Sequence, residues 1–115
     1  MNTARKQQHD WNGRLQTFNR EHLGRATRLG VFEPSESGMN DYWLENGLAF
    51  RGVTIEQHDG KLVADLLLDG FTHSVKNAGK IELIYGMNEG EDGLNVVDSE
   101  GKTSVLRFES DRSEV

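Results

Sequence analysis

The chain has 115 residues, 35% hydrophobic and 28% charged, with 13 glycines, one proline and no cysteine. That is enough chain for one domain and too little for two, and the missing thiols exclude disulfide scaffolds, thiolate zinc sites, iron–sulfur clusters and cysteine nucleophiles. The net charge of −6 is uneven: Arg5, Lys6, Arg14, Arg20, Arg25 and Arg28 against Asp10 and Glu21 give residues 1–28 a charge of +4, which leaves −10 on the rest.

Residues 1–9 are polar and are expected to form a flexible N-terminus ahead of a single domain over 10–110, with 111–115 as a flexible tail. Asp10 suits an N-cap. Trp11, Leu15 and Phe18 follow at helical spacing, with His22 and Leu23 completing an apolar stripe and Gly24 at the position of a helix C′ residue. One amphipathic helix of about 13 residues is predicted here, and it must dock on something to be stable.

After Arg25 the pattern changes to alternation. "RATRLGVFEP" reads as a strand closed by Pro34, and "SESGMND" reads as a loop. Asp59-Gly60 is the two-residue turn of a type I′ hairpin, and counting outward from it pairs Ile55 with Ala64 and Val53 with Leu66. Leu48 and Phe50 lie on even positions while Val53 and Ile55 lie on odd ones, so a β-bulge or sharp bend is expected at Arg51-Gly52. "KIELIYGM", "GLNVVD" and "TSVLRFE" give three more strands, separated by the turn-rich "NEGED" and "SEGK". The fold class is therefore α+β, mainly β. An N-terminal amphipathic helix precedes a bent antiparallel sheet, or a small SH3/Sm-like barrel, of five to seven strands.

The stretch "DGFTHSVKNAG" gathers Asp69, Thr72, His73 and Ser74, the composition of a catalytic triad. Neighbours on a strand point to opposite faces, so His73 and Ser74 cannot serve one another there. Asp59, Gly60, Asp69 and His73 are therefore read as structural residues of turns and edges, and no catalytic residue, metal ligand or cofactor is assigned. His58 and His73 are separated by most of a strand's length, at about 3.3 Å per residue, and no spacing matches a zinc motif. "GMNEGEDG" is too acidic to cradle phosphate.

Two surfaces remain as candidates. Tyr42, Trp43 and Leu44 form an aromatic-rich cluster of the kind found at partner or oligomer contacts. Arg14, Arg20, Arg25 and Arg28 are candidate phosphate contacts on or just after the helix.

The order "W…L..F.REH.GR", "TRLGVFEP", "LAFRGVTIEQ", "THSV" and "DSEGKTSVLRF" resembles a bacterial domain-of-unknown-function family, number 5335, over roughly residues 11–109. That resemblance implies a stand-alone bacterial protein and no particular activity. "FRGVTIEQHDGKLVADLLL" also resembles the first motif of Sm-like RNA-binding barrels. The asparagine those proteins use for base contact is missing, with Lys61 and Leu62 in that region.

The expected function is a non-enzymatic binding or oligomeric adaptor module. The alternatives are an Sm-like nucleic-acid binder using the basic helix and a small enzyme around His73. A homo-oligomer is expected, with an unknown protein partner, no nucleic acid and no membrane. No apolar run approaches the roughly 20 residues that span a bilayer and "MNTARKQQHDWNG" lacks a signal-peptide core, so a cytoplasmic location is the expectation.

Overall fold

The computed structural model describes residues 3–36, 38–85 and 92–109, with side chains from residue 13 onward. It is mainly β. Helix α1 (Thr3–His22) precedes strands β1 (Ala26–Ser35), β2 (Gly38–His58), β3 (Lys61–Leu68), β4 (Phe71–Lys76), β5 (Ala78–Ile84), β6 (Gly93–Asp98) and β7 (Thr103–Phe108). All ladders are antiparallel, in the order β4-β3-β2-β1-β7-β6-β5. The sheet curls into a half-barrel that brings β3 against β5 and β4 against β6. Its edge strands β4 and β5 follow one another through Asn77, which takes a left-handed φ of 58°, a conformation asparagine tolerates.

The helix starts earlier than expected. It is already formed at Thr3, so residues 3–9 belong to it and Asp10 lies inside it rather than capping it. The stretch "ARKQQ" is made of good helix formers, which outweighs the capping signal at Asp10. The C-terminus ends where the spacing placed it, with Gly24 at φ 86°. Leu15 and Phe18 are buried as the stripe requires, but Leu23 is 61% exposed because it lies past the last helical turn.

The Asp59-Gly60 hairpin has the predicted register, with Ile55 opposite Ala64 and Val53 opposite Leu66, and both turn residues have positive φ (54° and 80°). The ladder shifts between Phe50 and Gly52, where the phase of the sequence slips. At this bulge Gly52 adopts φ 153°. The Asn19 side chain of α1 fills the gap: its Nδ2 donates to the Val53 carbonyl (3.0 Å) and its Oδ1 accepts from the Val53 N–H (2.9 Å). Helix docking and strand bending thus share one residue.

The expected loop at 35–41 is a correction. Ser35 pairs with Gly38, and β2 runs without a break from Gly38 through His58. A local cluster of Ser, Gly, Asn and Asp reads as coil, but a neighbouring strand supplies the ladder that composition does not reveal. From Gly30↔Trp43 to Ser35↔Gly38 the β1–β2 ladder is here called the arm; β7 still pairs β1 as far as Phe32, so only Glu33–Ser35 and Gly38–Asn40 run on as a two-stranded ribbon.

The core lies between the inner faces of the curl and the helix. Phe18, Phe50 and Phe108 meet there, with ring centroids 4.9 to 6.0 Å apart, beside buried Leu29, Leu66, Leu94 and Leu106. Each such side chain contributes about 1.5–3 kcal/mol by leaving water.

Candidate functional site

The triad-like residues of 69–74 disperse to three different partners. Asp69 accepts from Arg51 (3.2 Å), Ser74 donates to Asp65 (2.6 Å), and His73 Nε2 lies 2.9 Å from Ser104 Oγ. Strand alternation accounts for this, since Phe71, His73 and Val75 share the inner face of β4 while Thr72 and Ser74 face outward.

His73 and Ser104 form the most chemically suggestive pair in the chain. Ser104 is buried on β7, and His73 joins it across the curl from an edge strand. Burial, with the Lys102 cation nearby, holds the His73 imidazole below the ordinary histidine range. The pair opens onto a polar cleft of about 280 Å³ that Lys76, Asp98 and Lys102 also line. Nucleophilic catalysis needs more than this. Among the described residues no carboxylate bonds to His73 to orient it, and the Asp98 carboxylate already accepts from the Glu100 and Lys102 N–H groups in the β6–β7 turn. The geometry is that of a clasp between edge strand and core strand. Ser104 was not singled out in the sequence, although the signal was present: "TSVLRF" puts a hydroxyl in phase with buried Leu106 and Phe108.

The four candidate phosphate-binding arginines do not share a surface. Arg14 and Arg20 are exposed on α1. Arg25 turns inward, with its guanidinium 5.3 Å from the centroid of the Phe108 ring, donating to the Glu109 carbonyl (3.1 Å) and standing 3.7 Å from Asp92. Arg28 lies over Trp43 instead. Beside Arg25, buried His22 stacks on Phe108 (4.4 Å) and places Nδ1 2.8 Å from the Phe18 carbonyl and Nε2 2.9 Å from Asp92 Oδ2. This cluster fastens the helix end to the curled sheet. Among the described residues no three His, Asp or Glu side chains converge as metal ligands would, and no helix is long and apolar enough to cross a membrane.

The aromatic cluster lies on the arm. Leu44 leans on the edge of the core, whereas Trp43 is 54% and Tyr42 43% exposed, with Met39 nearer the tip at 60%. Tyr42 stands opposite Val31 and Trp43 opposite Gly30, so the two rings face opposite sides of the ribbon. The Tyr42 hydroxyl donates to Glu33 (2.6 Å), and that bond, helped by slight burial and the negative charge of Glu33, pushes the phenol above its ordinary pKa. Trp43 lies flat on Gly30: a Cβ there would come within 2.7 Å of the indole. The Arg28 guanidinium sits 5.3 Å from the ring centroid on the same strand pair. An exposed indole is thus held in one orientation. The chain matches no family model, and no curated protein and no solved structure is significantly similar to it, so the family resemblance rests on the quoted motifs alone.

Proposed function

We propose that the protein is a non-enzymatic binding module and that the β1–β2 arm is its docking surface. The observation that carries this reading is Trp43, more than half exposed yet immobilised between Gly30 and Arg28. Large aromatics held rigid at a surface gain most of their contact energy without an ordering cost, and for this reason they dominate protein–protein hot spots. Met39 extends the apolar surface on the Trp43 face, and Tyr42 is exposed on the opposite face. The His73–Ser104 clasp supports the scaffold in this reading.

The test is native mass spectrometry of protein purified from its host, wild type beside Trp43→Asp. The wild type should carry a partner that the variant loses, while both unfold at the same denaturant concentration. Bare monomer in both preparations, or a partner retained by the variant, defeats the reading.

A further inference from the structure

The pairing pattern of β2 and the charge of the arm together identify what the arm takes. β1 covers one edge of β2 from Gly38 to Ala49, whereas β3 covers the other edge only from Phe50 to His58. Among the described residues, no strand pairs that second edge from Gly38 to Leu48. The regular part, Gly38 to Trp43, spans about 20 Å at about 3.3 Å per residue, with alternate N–H and C=O groups pointing outward; beyond it the ladder shifts register at Leu44 and again near Gly47. Between Leu29 and Phe50 the chain carries Glu33, Glu36, Asp41 and Glu45 and no lysine, arginine or histidine. We propose that this free edge of β2 adds an extended peptide strand bearing lysine or arginine, antiparallel or parallel to Gly38–Leu48; the proposal rests on reading the arm as the binding surface.

Each part of the geometry contributes. An unpaired edge selects an extended backbone, as in other cases of strand addition. Asp41 shares the outward face with Trp43, so a basic side chain placed there meets a carboxylate beside an aromatic ring. Edges that merely avoid aggregation are kept short, or carry lysine or proline along their length. This one carries Asp41, Glu45 and two register shifts, yet it still shows Met39, Tyr42 and Trp43. A second copy of the chain fits less well. Pairing of two arms brings acidic side chains of one copy toward those of the other, offset only by the Arg28 that each copy already holds over its own Trp43.

The test uses the full chain, labelled with ¹⁵N and titrated with a short synthetic peptide alternating lysine and valine, or with a matched glutamate–valine peptide. The lysine peptide should move the amides of Gly38–Leu48, bind more weakly as salt rises, and lose about tenfold in affinity to the double variant Asp41→Lys/Glu45→Lys, which should instead take the glutamate peptide. Equal binding of both peptides by the wild type, or self-association through Gly38–Leu48, overturns the basic-strand chemistry but leaves a docking arm. Arm amides that respond to neither peptide nor to protein concentration overturn both.

Discussion

Asn19 illustrates how a single side chain can join two elements. Its amide meets both backbone groups of Val53 on the edge of β2 that β1 leaves uncovered after Ala49, satisfying one donor and one acceptor at once. Asn19→Ala leaves both backbone groups without that partner and should lower stability by about 2 kcal/mol, read from the urea midpoint. Asn19→Asp keeps an acceptor for the Val53 N–H but no donor for its carbonyl, and so should fall between the two. His73 is the second residue with a defined consequence. Its folded-state pKa lies below the ordinary 6.5, so the unfolded chain takes up the proton first. The clasp is at full strength above about pH 6.5 and weakens as pH falls toward the folded-state value. His73→Gln, which keeps a polar atom near Ser104, should flatten that part of the stability–pH curve, and an unchanged curve would remove His73 as its source. Neither Asn19 nor Ser104 stood out in the sequence. Their importance comes from what lies opposite them in space, at separations of 34 and 31 residues.

At the level of elements, the legible parts were those whose geometry is fixed locally. Asp59-Gly60 dictates its own turn and thereby a register, and the phase slip at Arg51-Gly52 marks the bulge. The misread parts were those governed by a neighbour. "SESGMND" has the composition of a loop, yet Ser35 and Gly38–Asp41 join the ladder because β1 and β2 lie alongside one another, and α1 extends through residues whose propensity outweighs one capping signal. The aromatic cluster at 42–44 was visible as composition, but the seat of Trp43 on Gly30 was not, because it depends on cross-strand register. Gly30→Ala tests that seat. The added methyl should force the indole off the ribbon at a cost of about 1 kcal/mol and shift the Trp43 indole N–H resonance. An unmoved resonance would mean that the ring is not held there.

At the scale of the molecule, the described residues form a half-barrel with helix α1 over its core and the end of the β1–β2 pair extending from it. Phe18 is the link to the core, touching Phe50, Phe108 and His22, and Phe18→Ala should cost about 3–5 kcal/mol and lower the melting temperature of the whole domain in a single transition. Trp43→Ala should leave that transition within about 0.5 kcal/mol, because an exposed ring contributes little to folding. Whether the sheet closes was not legible from strand patterns alone, since closure depends on how far the curl brings β4 to β5. The two strands stay unpaired. Met39 and Trp43, exposed on the arm and outside the core cluster, are the basis for proposing that the arm binds. Amide hydrogen exchange along β2 measures this most directly. In the free protein, alternate amides from Gly38 to Trp43 should exchange quickly while their neighbours, bonded to β1, are protected, and the lysine–valine peptide should slow the fast set. Uniform protection of that stretch in the free protein, or fast amides that the peptide leaves unchanged, would contradict a free and receptive edge.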